Sequence, residues 1–147
     1  MLINLIVSLS LPYFLVGPLN VSLAGLIAGI FMMFMGFVLY FAITLVIGLL
    51  AFWIEDVTSI DWLFRACSMI FGGAILPLAL FPEAIKNVAE YLPFGQLYYS
   101  AARLIVHFEQ AEFIKFLTIQ SVWLAIFSIL SFAILREGVK RVSISGG

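Results

Sequence analysis

The sequence predicts an all-α, polytopic membrane protein of about four transmembrane helices, with two short amphipathic or re-entrant helices before the last span. Three observations lead there. Hydrophobic residues make up 65% of the 147 and charged residues only 10%, a balance that excludes an ordinary soluble domain. The charge is unevenly placed: residues 1–54 contain no Asp, Glu, Lys, Arg or His, and all fifteen charged residues follow from Glu55 onward. Residues 70–94, IFGGAILPLALFPEAIKNVAEYLPF, begin apolar, break at Phe81-Pro82, turn charged and break again at Leu92-Pro93. An apolar run ended by prolines and followed by an amphipathic segment reads as a helix that surfaces and lies against the membrane.

In chain order, residues 2–16 are apolar with Pro12 near their end. At roughly 1.5 Å per residue they are short for a complete span, and they read as part of a helix of a larger protein. Residues 17–20, Gly-Pro-Leu-Asn, form a turn. Residues 21–54 form one apolar helix. Its length of roughly 50 Å exceeds a hydrocarbon core of about 30 Å, so it must tilt, kink or protrude. Gly25, Gly29 and Gly36 share a face with Met32, and such small-residue spacing lets another backbone approach closely. Trp53 and Trp62 bracket the acidic loop 55–61 as an interfacial belt. Glu55 and Asp56 read as a solvated loop rather than an acid–base pair. Asp61 is placed to cap the next helix, expected over residues 62–80. There Arg65 can snorkel to headgroups, and Ser68, Gly72 and Gly73 make a close-packing patch.

The two surface helices are expected over 82–91 and 95–108. In the first, Glu83, Lys86 and Glu90 are spaced for side-chain pairs on a wet face. In the second, Gln96, Ser100, Arg103 and His107 recur as one polar stripe. That stripe either lines a solute path or gate, or faces water and headgroups. His107 by itself is a weak ligand or proton-relay candidate. The last span is expected over 113–135, with Lys115 at its start. Gln120, Ser121 and Ser128 within it can bond neighbouring helices or touch a solute. The candidate path or gate residues are therefore Gln96, Ser100, Arg103, His107 and Gln120. The candidate helix-packing residues are Gly25, Gly29, Gly36, Gly72 and Gly73. Arg136, Lys140 and Arg141 follow the last span, and Arg65 lies beside loop 55–61. Both ends are then cytoplasmic by the positive-inside rule, and Lys86, Arg103 and Lys115 lie outside.

The motifs of soluble catalysis are missing. The chain has one cysteine, Cys67, in an apolar run, and one histidine. It has no Walker phosphate loop, no histidine cluster for a metal and no nucleophile elbow. No catalytic, cofactor-binding or metal-binding residue is expected. The near-neutral charge leaves no nucleic-acid footprint.

From Phe52 to Gly147 the order of features resembles the C-terminal half of ABC type-2 transporter permeases, closest to bacterial, uncharacterised permease components. The residues that carry the likeness are Ala51-Phe52-Trp53-Ile54-Glu55, Gly73 with Ile75-Leu76-Pro77-Leu78, Phe81-Pro82, Leu92-Pro93-Phe94, Gln120 with Trp123, and the basic tail. The likeness departs after Leu92-Pro93-Phe94, where a proline about seven residues on and a glycine near the second helix end would be expected. The resemblance implies a single transmembrane domain that is part of a six-span subunit in the plasma membrane. Its C-terminus would be cytoplasmic. It would pair with a second permease subunit, as a homo- or heterodimer, and dock on cytoplasmic ABC ATPase subunits. Those subunits bind the ATP, and the permease moves a substrate outward. Two other readings stay open from the residues alone. One is a non-transporting scaffold or assembly protein built on the Gly25–Gly29–Gly36 face. The other is a membrane-embedded lipid-modifying enzyme using Arg103, His107 and Glu109.

Overall fold

The computed structural model describes residues 21–145. The expected helix over 2–16 and the turn at 17–20 lie outside the described residues. Among the described residues every regular element is helical. α1 spans Leu23–Leu49 and ends in a 3-10 turn, Leu50–Phe52. α2 spans Thr58–Phe71, α3 Glu83–Tyr91, α4 Pro93–Leu97, α5 Tyr99–Val106 and α6 Gln110–Ser145. Among the described residues, two stretches are long and apolar enough to cross a membrane: Leu23–Phe52 and Gln110–Lys140.

α1 starts cleanly because the Ser22 hydroxyl accepts from the Gly25 backbone N–H at 3.0 Å, meeting one of the unpaired donors of the first turn. α1 and α6 run parallel. Phe31 meets Phe113 near one end, with ring centroids 6.4 Å apart. The Met32 carbonyl faces Gln120, and Phe52 lies against Gly138 at the other end. Parallel neighbours need a return path between them. It is split between two short pieces. α2 climbs beside the lower half of α1, where Phe64 packs on Tyr40 and Phe94 with centroids at 5.5 and 6.0 Å. α4 and α5 cover the upper half, running opposite to α1. The Leu97 carbonyl lies over Gly36, the Ala101 carbonyl over Gly29 and the Leu104 carbonyl over Gly25.

The missing side chains of α1 set this approach. A Cβ at Gly25 would stand 2.7 Å from the Leu104 carbonyl oxygen, and one at Gly36 would stand 3.0 Å from that of Leu97. At Gly29 it would collide with the Ile105 side chain. The opposite face of α1 carries the bulk: Leu23 is 73% exposed, Phe34 64% and Phe37 68%. That division suits a helix with protein on one side and lipid on the other.

The helix expected over 62–80 is shorter and starts earlier. α2 ends at Phe71 although the apolar run continues, and the cause is a glycine rather than Pro77. Gly73 is the one described residue with positive φ, +79°. The Ala74 N–H bonds back to the Met69 carbonyl (3.1 Å) and the Gly73 N–H to that of Ile70 (3.3 Å). This is a Schellman stop, which glycine adopts without the penalty of a Cβ. Asp61 is not the cap. Val57 holds that position, and the Asp56 carboxylate accepts from the Thr58 backbone N–H at 2.8 Å. The Thr58 side chain and backbone bonds hold the Asp56 carboxyl below its ordinary range. Asp61 instead takes Arg65 Nε at 2.7 Å, one turn on.

The second surface helix also differs from its expected bounds of 95–108. It begins at Pro93, whose absent N–H suits the first helical position, and it breaks at Tyr98 (φ −131°, ψ −48°) into α4 and α5. The last helix runs past 135, so Arg136 and Lys140 sit on it rather than in a loose tail.

The glycine stop yields a direct test. Gly73→Ala forces a Cβ into the left-handed region at a cost of about 1–2 kcal/mol. It should lower the thermal unfolding midpoint in detergent. Gly48→Ala, with nothing within 4 Å of its added Cβ, should not.

Candidate functional site

The interior divides into three layers. On one side Met32, Ala101, Leu104 and Phe116 form an apolar cluster, and on the other Leu39, Ile43, Ile47, Phe64 and Leu97 form a second. Between them lie Gly36, Gln96, Ser100 and Gln120. The three polar side chains are fully buried, each in a residue at 0% exposure. Gln120 on α6 donates its amide N–H groups to the Gln96 carbonyl at 3.0 Å and to the Met32 carbonyl at 3.4 Å. One side chain thus bridges α6, α4 and α1. Gly36 leaves the room, since a Cβ there would already stand 3.4 Å from Gln120 Nε2. Ser100 Oγ donates to the same Gln96 carbonyl at 3.2 Å, and Gln96 Nε2 donates to the Glu90 carbonyl at the end of α3 at 2.6 Å.

The amide oxygens of Gln96 and Gln120 are both buried and take no donor from the protein. Beside the layer a groove of about 390 Å³ is lined by Met33, Gly36, Phe37, Tyr40, Leu97 and Tyr98. Its walls are apolar and aromatic.

The predicted stripe therefore divides. Gln96 and Ser100 turn inward, and the Gln96 carbonyl takes both Ser100 Oγ and, from 24 residues away, the Gln120 amide. Arg103 turns to the edge and holds Glu112 through both carboxylate oxygens, Nε to Oε2 at 3.1 Å and Nη2 to Oε1 at 3.0 Å. His107 is exposed at the end of α5. Of the packing candidates, Gly25, Gly29 and Gly36 receive α4 and α5, and Gly72 lies against the Phe94 carbonyl and the Tyr98 ring. Ser121 and Ser128 are exposed on α6.

Sequence reasoning missed how α3 is fastened. Glu90 pairs with Lys115 at 2.9 Å, across 25 positions, rather than with Lys86 on its own helix. Tyr99 donates its hydroxyl to the other Glu90 oxygen at 3.2 Å. Lys115 Nζ also stands 5.0 Å from the Tyr91 ring centroid, within cation–π range. Trp123 Nε1–H donates to the Tyr91 carbonyl at 2.8 Å. The only available signal was a lone lysine at the start of an apolar span, which needs a counter-charge.

A family model described as ABC-2 family transporter protein matches residues 1–146. The chain belongs to that family. No curated protein and no solved structure matches it. The chain is therefore a permease-type membrane component, of a family whose members work with an ABC ATPase subunit.

Gln120 gives a test of the layer. Gln120→Ala removes both hydrogen bonds and opens a cavity, and should cost about 2–4 kcal/mol. Gln120→Met removes the same two bonds but keeps the volume, so its loss should be the smaller of the two. Thermal unfolding in one detergent, with both variants side by side, checks the order.

Proposed function

We propose that this chain is the membrane-spanning subunit of an ABC type-2 exporter, moving its substrate outward on ATP hydrolysed by a separate cytoplasmic subunit. The family match over residues 1–146 supports the class. The observation that carries the mechanism is the return path between two parallel long helices, split at Gly73 and locked by Gln120. α1 crosses toward the cytoplasm, α2 with α4 and α5 crosses back, and α6 crosses again. The protein is then multi-pass in the plasma membrane. Loop 55–61 and the basic end of α6 face the cytoplasm, while α3 and the Arg103–Glu112 corner lie near the outer face.

Each half of the return path has its own work. α2 begins at the cytoplasmic loop, where an ATPase would push, and ends at a glycine stop that can absorb backbone rotation. α4 and α5 close the path by laying Gln96 and Ser100 against Gln120. ATP and its chemistry stay on the partner. A second permease subunit completes the path, as a homo- or heterodimer, with the groove beside Gly36 on its wall.

The scaffold reading loses ground because the Gly25–Gly29–Gly36 face is covered by the chain's own α4 and α5. The lipid-enzyme reading loses ground because Arg103 is committed to Glu112.

Two measurements test the proposal. Expressed with its neighbouring ABC ATPases, the chain should co-purify with one of them and show ATP hydrolysis that depends on the complex; association with none would end the exporter reading. A membrane-impermeant amine label should reach Lys86 from outside intact cells and Lys140 only after permeabilisation. Finding both lysines in one compartment would overturn the orientation.

A further inference from the structure

We propose that the joint between α5 and α6 is a divalent transition-metal site formed by His107, Glu109 and Glu112. A ring nitrogen of His107 and one carboxylate oxygen from each glutamate lie within 4.8 Å of one another. Ligands about 2.0–2.2 Å from a shared Zn²⁺ stand roughly 3.4 Å apart when tetrahedral, so a side-chain rotation of about an ångström closes the set. His107 and Glu109 are exposed and have that freedom.

The backbone places the three ligands on different parts of the joint. His107 is the extended residue that ends α5 (φ −139°, ψ 94°). Glu109 precedes α6, and its carbonyl takes the Phe113 N–H at 3.0 Å. Glu112 lies in the first turn of α6. A metal held by all three therefore clamps the exit of the return segment onto the start of the last helix.

Glu112 is already oriented. Arg103 occupies one lone pair on each of its oxygens, and a carboxylate offers about four such positions, so ligating capacity remains. A guanidinium behind a ligating carboxylate acts as an outer-shell partner that fixes the ligand. Counting charge, Glu109 and Glu112 outweigh Arg103, while Lys115 is spent on Glu90. The joint is thus anionic. One imidazole with two carboxylates suits Zn²⁺, Mn²⁺ or Fe²⁺ rather than a soft monovalent ion, and three protein ligands leave a position for water. The site rests on this local geometry and does not depend on the transport reading.

Calorimetric titration of ZnCl₂ and MnCl₂ into the untagged chain in detergent micelles tests it. One saturable site is expected. His107→Ala and Glu109→Gln should each weaken Zn²⁺ binding by at least about tenfold, as loss of a ligand demands. Glu83→Gln, an exposed carboxylate elsewhere, should leave it unchanged. Circular dichroism should report equal helicity for all four proteins, so that a lost site is not mistaken for a lost fold. Absence of saturable binding, or binding that survives the His107→Ala/Glu109→Gln double variant, would overturn the assignment.

Discussion

Backbone rests on backbone where α4 and α5 meet α1, and the remaining structure depends on that closeness. In lipid the hydrophobic effect does not drive helices together, so they associate through van der Waals packing and a few polar bonds. Both need short distances. Glycine at positions 25, 29 and 36 removes what would otherwise hold the carbonyls of Leu104, Ala101 and Leu97 away. Only then does the Gln120 amide reach two other helices at once. The close approach and the polar bridge are thus one feature: a side chain at Gly36 would crowd both.

The bridge sits between two apolar clusters, in surroundings where a made hydrogen bond is strong and an unmade one is expensive. The layer contains both kinds. Two of its bonds tie the return segment to α3 and α6, a third ties α6 to α1 and a fourth lies within the return segment, while two buried amide oxygens take no donor from the protein. The glycine stop at the end of α2 divides the return path at Gly73.

The register of the two long helices explains where the charges lie. They meet at Phe52 and Gly138 at one end, and at the other the joint of α5 and α6 lies beside the start of α1, where the Leu104 carbonyl and Phe108 flank Gly25. Charges at that level stand next to exposed leucine and isoleucine. Glu90 with Lys115 and Arg103 with Glu112 accordingly form pairs, as charges near hydrocarbon must. The same pairs fasten α3 and α5 to the last helix.

Composition and charge placement alone determined the class of this protein: helical, embedded in a membrane, and charged only after residue 54. The glycine face of α1 and the short amphipathic α3 were legible too, because helical period and proline position are local properties. The end of α2 was misjudged, since hydropathy continues through Gly73 and only the left-handed backbone there reveals the stop. The inward turn of Gln96 and Ser100, the reach of Gln120 and the pairing of Glu90 with Lys115 were decided by tertiary structure alone. Each joins residues about 20 or more positions apart, and whether a polar side chain meets water or a buried partner depends on which helix lies opposite, which no single stretch of chain encodes.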